Sequence, residues 1–221
     1  MHDDWTHARR EMLERLRGRG ITDERVLGAM GTVPRERFVA TELADQAYAE
    51  RALPIAAGQT ISAPGIVALM AAALELTGSE RVLEVGSGSG YAAAVLSRCA
   101  GEVVAVELRD ELVDSARATL AALDYHDVDV RPGDGWRGVP ERAPYHAISV
   151  AAMAATLPAA LIDQLATGGT LVCPVGGSDG RGQLIRYRDG RAVAVAPVGF
   201  VPLQAAIDVD GSTRAPTHNR G

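Results

Sequence analysis

The residues best suited to chemistry lie in Val82-Leu83-Glu84-Val85-Gly86-Ser87-Gly88-Ser89-Gly90-Tyr91. An apolar run enters three glycines at alternate positions and leaves as a helix-forming segment. Glycine has no Cβ, so backbone there can approach a ligand closely. In an open parallel sheet such a junction lies at the carboxyl edge of a strand, where ligands bind. Glu107 closes the next apolar run, Val103-Val104-Ala105-Val106-Glu107, where a carboxylate can accept both hydroxyls of a ribose. Asp134, within Gly133-Asp134-Gly135, holds the matching position after the third run and is placed to accept an adenine amino group. Each feature also has a plainer reading: a glycine turn without ligand, an exposed strand-end acid, an ordinary Asp-Gly turn.

The spacing separates the candidate ligands. A dinucleotide fingerprint needs glycine or alanine five residues after the first glycine, and that position is Tyr91. The pattern is instead Gly-x-Gly-x-Gly, the form associated with S-adenosylmethionine-binding folds, so the loop favours a methyltransferase over a nicotinamide enzyme. Glu107 does not decide between them, because both ligands contain a ribose. All 22 basic side chains are arginine. Without lysine, a Walker-type phosphate loop and a lysine Schiff base are both excluded.

The elements that must position these residues follow from periodicity. From Arg81 onward, strand-like runs at 81–85, 103–107, 128–131, 147–150 and 170–174 alternate with helical runs at 90–99, 110–123 and 158–166. This predicts an α/β fold of the Rossmann-like type, a mostly parallel sheet with helices on both faces. Runs at 183–188 and 192–203 flank Asp189-Gly190, a hairpin signal that adds antiparallel strands at the C-terminal end. Before Gly58 the chain favours short helices. Trp5, Ala8, Met12, Leu13 and Leu16 share one helical face, and Thr22 is placed to cap a second helix that stops at Val33-Pro34.

At 221 residues the chain is expected to be a single domain over 1–221. It divides into a helical cap and substrate-side segment at 1–64, an S-adenosylmethionine-binding core at 65–204 and a loose tail at 205–221. The net charge of −6, with arginines scattered among acids, argues against a nucleic-acid partner. No apolar stretch is long enough to span a bilayer, and the N-terminus lacks a secretory pattern, so no membrane partner and a cytoplasmic location are expected. No metal-binding cluster is evident. Cys99 and Cys173 read as buried small hydrophobes in a reducing compartment.

With these residues placed, the sequence resembles the protein-L-isoaspartate O-methyltransferases from about Val33 to Leu203. The segments carrying the resemblance are Val33-Pro34-Arg35-Glu36-Arg37-Phe38, Gly58-Gln59-Thr60-Ile61-Ser62-Ala63-Pro64, the glycine loop, Gly133-Asp134-Gly135 and Phe200-Val201-Pro202-Leu203. The resemblance implies that Ser62 lies beside the transferring methyl as the catalytic residue. It further implies S-adenosylmethionine contacts from Gln59, Thr60, Ile61, Ser62, Glu84, Gly86, Ser87, Gly88, Gly90, Glu107, Leu108, Asp134 and Gly135. The implied partner is a peptide or protein bearing isoaspartate, methylated on its α-carboxylate and repaired through a succinimide. A serine before Ala63-Pro64 also reads as a cap for the next helix.

The chain departs from the family pattern at His146, usually aspartate, at Ala151-Ala152-Met153-Ala154, and at Gly65, where larger side chains are common. These positions are expected on the substrate side, which keeps open a relative that methylates one aspartate of a biosynthetic peptide to form an aspartimide. A non-catalytic module binding an adenosine ligand is the reading from another class.

Overall fold

The computed structural model describes residues 5–205. The expected tail therefore lies, beyond residue 205, outside the described residues. Two helices open the chain, α1 (Thr6–Gly18) and α2 (Glu24–Thr32). The cap of α2 is Asp23 rather than the expected Thr22: its carboxylate accepts the N–H groups of Arg25 at 2.9 Å and Val26 at 3.1 Å. An ionised acceptor at that position also meets the positive end of the helix dipole, an advantage a threonine lacks.

Short 3-10 turns then lead to a small antiparallel pair, β1 (Leu53–Pro54) and β2 (Thr60–Ile61). Helix α3 (Pro64–Ala73) starts with proline at its first position, where no N–H is needed. The main sheet comprises β3 (Arg81–Val85), β4 (Glu102–Glu107), β5 (Val128–Pro132), β6 (Tyr145–Val150), β7 (Leu165–Gly176), β8 (Arg181–Arg188) and β9 (Arg191–Gly199). Its order is β5-β4-β3-β6-β7-β8-β9, parallel through β7 and antiparallel thereafter. Helices α4 (Tyr91–Ser97) and α5 (Asp110–Ala122) link the first three strands. The third expected helix is shorter than its apolar pattern suggested. Only α6 (Ala159–Ile162) forms, because the chain turns directly into the twelve-residue β7.

Successive side chains of each strand enter opposite layers. Val82, Val103, Ala105 and Ala147 pack with α1 to α5 on one face. Leu83, Val85, Val104, Ile148 and Leu171 form the other core with Tyr145 and Leu161. The chain leaves β3 toward β4 on one side and later returns as β6 on the other. The carboxyl end of β3 is thus the point where strand order reverses, and the glycine loop starts there. Asp23→Ala is expected to lower folding stability by about 1 kcal/mol in urea titration, whereas the exposed Thr22→Ala should stay within about 0.5 kcal/mol of the parent.

Candidate active site

Gly86, Gly88 and Gly90 all have positive φ, at 87°, 51° and 85°. The loop turns sharply enough that its N–H groups point back into the protein. Gly86 and Ser87 donate to the carbonyl of Val106, at 2.8 and 3.3 Å, and Gly90 donates to that of Ser87 at 2.8 Å. Gly88 donates to Glu107 Oε2 at 2.9 Å, and the other oxygen of Glu107 accepts the N–H of Arg109 at 3.1 Å. The Glu107 carboxylate is thereby fixed beside the loop while keeping lone pairs for a ligand.

Two cavities meet at Thr60, Gly86, Gly88 and Ala151. Thr60, Ile61, Ser62, Glu84, Gly86, Ser87 and Gly88 line the first, alongside Tyr91, Ser149 and Met70. Gln59, Thr60, Gly86, Gly88, Glu107, Leu108 and Gly135 line the second, with Val201 to Gln204. A third depression shares Thr60 and Ser62 with the first and adds Ala63, Ile66, Asp179 and Phe200, so Ser62 stands at the junction of two cavities.

Gly90 and Asp134 stand outside the linings of the two cavities. A Cβ on Gly90 would sit 3.2 Å from Leu120 and 3.3 Å from Ala116, so this glycine lets α4 pack on α5. Asp134 Oδ1 accepts the N–H of Trp136 at 2.9 Å, closing the turn that holds Gly135 against Val85. Ser62 does not cap α3: Ala63 is the N-cap, with no side-chain cap bond, and the Ser62 carbonyl accepts Arg35 Nη2 at 2.7 Å.

His146 corrects the expectation that the departures cluster on the substrate side. It is the second residue of β6, at the sheet edge opposite the glycine loop, and its Nδ1 accepts the N–H of Arg81 at 3.0 Å. Ala151 lines both cavities. Ala152 lines the second cavity, Met153 ties down the C-terminal segment by exchanging 2.7 Å bonds with Val201 and Leu203, and Ala154 pairs with β7 at Pro174 and Gly176. Periodicity alone did not single out the segment from Val201 to Gln204 or the cavity-facing side of α3, because both read as ordinary apolar packing.

The electrostatics are unusual for a buried site. Glu84 is 1% exposed, and its Oε2, like the Ser87 hydroxyl, is buried with no hydrogen-bond partner. Burial pushes the Glu84 carboxyl well above the usual carboxylate range, and the negative charge of Glu107 pushes it further. Cys99 and Cys173 are buried and free, with thiols pushed up to about 12 by burial. Among the described residues no group of three His, Cys, Asp or Glu side chains is arranged to hold a metal, and no helix is long and apolar enough to cross a membrane.

A family model described as Protein-L-isoaspartate(D-aspartate) O-methyltransferase matches residues 7–207. The chain belongs to that family. A protein-L-isoaspartate O-methyltransferase 2 from Anaeromyxobacter sp. (strain Fw109-5) is 52% identical over 204 residues, 90% of this chain and 84% of the relative. A solved protein-L-isoaspartate O-methyltransferase superposes with a TM-score of 0.81 at 26% identity, over 89% of this chain and 66% of its own length. A structure described as a protein-L-isoaspartate O-methyltransferase from Plasmodium falciparum, in complex with S-adenosyl-L-homocysteine, gives a TM-score of 0.73 at 26% identity. It matches over 88% of this chain and 97% of its own.

The raised Glu84 carboxyl makes a stability signature. A folded-state pKa above the unfolded one means the fold holds an extra proton, so this contribution is complete below the unfolded pKa and is lost as pH rises through and above it. Glu84→Gln should therefore gain stability over the unsubstituted protein as pH climbs from the carboxylate range toward neutrality, read by urea denaturation across a pH series.

Proposed function

We propose that this methyltransferase moves the methyl group of S-adenosylmethionine to the α-carboxylate of isoaspartyl residues in peptides and damaged proteins, opening their repair through a succinimide. The observation that carries the donor half is the charge pattern of the glycine loop. A pyrophosphate needs free backbone N–H groups, yet those of Gly86, Ser87, Gly88 and Gly90 are engaged internally. Two acids, Glu84 and Glu107, line the cavities instead. Such a cleft favours a cationic ligand. The orphaned Glu84 Oε2 suits an ammonium group, Ser87 supplies a hydroxyl beside it, and Glu107 suits ribose hydroxyls. Gln59, Thr60, Ile61, Ser62, Leu108, Asp134 and Gly135 complete the proposed donor set, with Gly90 holding the loop in place.

When bound, S-adenosylmethionine supplies an electrophilic methyl group on a positively charged sulfur. The acceptor carboxylate is already ionised at neutral pH, so no side chain has to remove a proton. The protein's task is orientation and exclusion of water, which together can contribute on the order of 7 to 11 kcal/mol. Ser62, at the junction of the donor and acceptor cavities, orients the carboxylate oxygen through its hydroxyl. We read residues 1–64 as the cap that closes this junction and 65–204 as the donor-binding core of one domain. We place the protein in the cytoplasm, with no nucleic-acid partner.

Methyl transfer to an isoaspartyl peptide, with its aspartyl counterpart as control, tests the reading. Transfer to the first alone is expected. Efficient transfer to the second would favour the relative that acts on a dedicated aspartate, and donor binding without transfer would favour the non-catalytic module. Ser62→Ala should lower kcat by about tenfold or more while calorimetric donor affinity changes little. Because burial raises the Glu84 carboxyl, an ammonium group that pairs with it on donor binding should release a proton, binding should tighten as pH rises, and Glu84→Gln should abolish that release.

A further inference from the structure

The turn from Ser62 to Gly65 is gripped at both ends by charges of opposite sign from the N-terminal segment, one buried and one half-buried. Arg35 is completely buried. Its Nε donates to the Ala47 carbonyl at 2.6 Å and its Nη2 to that of Ser62 at 2.7 Å. Its guanidinium carbon lies 4.7 Å from the centre of the Tyr91 ring, the residue that follows the glycine loop. At the other end, Glu50 Oε1 accepts the N–H of Gly65 at 3.1 Å and pairs with Arg19 Nη1 at 2.7 Å. A Cβ on residue 65 would stand 2.4 Å from that same carboxylate oxygen. The glycine that departs from the family pattern is therefore what admits Glu50. Arg35 Nη1 and Glu50 Oε2 are both buried without hydrogen-bond partners; burial lowers the Arg35 pKa, and Tyr91, Tyr48 and Glu50 offset that in part.

A buried guanidinium is costly to desolvate, and hydrophobic packing would serve stability as well. Its retention calls for a task that needs direction. We propose that Arg35 and Glu50 form a two-point clamp that fixes the Ser62–Gly65 turn relative to the donor loop, making both positioning residues for methyl transfer. This inference rests on the proposed role of Ser62. Arg35 sets the height of the Ser62 backbone above Tyr91. Glu50 fixes the start of α3 and so the rotation of the turn. Neither needs to touch a reacting atom.

The test is a set of double-substitution cycles read as kcat on an isoaspartyl peptide at saturating donor, with donor affinity measured by calorimetry. Arg35→Lys and Glu50→Ala should each lower kcat about tenfold with donor affinity changed less than about twofold, and each loss should fall below about twofold in the Ser62→Ala background. Gly65→Ala displaces the carboxylate without altering either charge. It should match Glu50→Ala and add nothing to it. Equal losses with and without the Ser62 hydroxyl, or additive losses for Gly65→Ala and Glu50→Ala, overturn the clamp. If Arg35→Lys does not fold, the Glu50 and Gly65 cycle carries the same decision. A Ser62→Ala variant with full turnover overturns both the clamp and the role of Ser62. If the unsubstituted chain methylates no isoaspartyl peptide, the proposed function fails separately, and hydrogen exchange decides the clamp. Faster exchange of the Gly65 amide in Glu50→Ala, with α1 and α2 still protected, supports it, and unchanged exchange overturns it.

Discussion

The bond from the Gly88 N–H to the Glu107 carboxylate is the constraint on which the site depends. It joins the loop after β3 to the end of β4, residues 19 apart in sequence, and closes the loop inward. An anion-binding loop of similar outline leaves its amides facing the ligand. Here they face the protein, and the side chains turned to the cleft are acids. Ligand charge is thus selected by where the loop directs its donors, a property fixed by three positive φ values that only glycine adopts without strain.

Strand order supplies the cleft. The reversal at β3 leaves a gap at the carboxyl edge, and the acids at the ends of β3 and β4 face it because each strand is buried up to its last residues. The N-terminal segment belongs to the same packing. Met12, Leu16, Met30 and Phe38 share a hydrophobic cluster with Tyr91 and Val82, which packs the N-terminal helices on the face of the sheet that carries α4. Arg35 runs through this cluster, so the polar contacts reaching Ser62 are shielded from water and are stronger than the same bonds at a surface.

Much of the fold was legible because its signals are local. The run 81–85 matches β3 residue for residue, and Asp189-Gly190 forms the expected turn between β8 and β9. The misses come from competition that a window of sequence does not contain. The helix expected over 158–166 yields to β7, whose register is set by pairing with β6 and β8. Thr22 and Asp23 are both good caps, and tertiary packing chose the second. Within the site, Glu107 was visible as a strand-end acid, and Glu84 entered only through the family resemblance. The grip on the Ser62–Gly65 turn was not, since Arg35 reaches Ser62 from 27 residues away and Glu50 reaches Gly65 from 15, contacts that emerge only after the chain has folded.

The sheet ends at β9, where Val193 and Val195 are exposed. An edge of this kind invites foreign chains to dock by backbone pairing. This one is blunted: Pro197 lacks an amide, Arg191 adds charge, and an irregularity opposite Leu184 and Ile185 alters the local twist. For a protein of a family that acts on isoaspartyl-bearing polypeptides, a sticky flank would sequester them far from the reacting groups. A blunted margin leaves the cleft as the productive landing place, so that catching a client and processing it happen in one location.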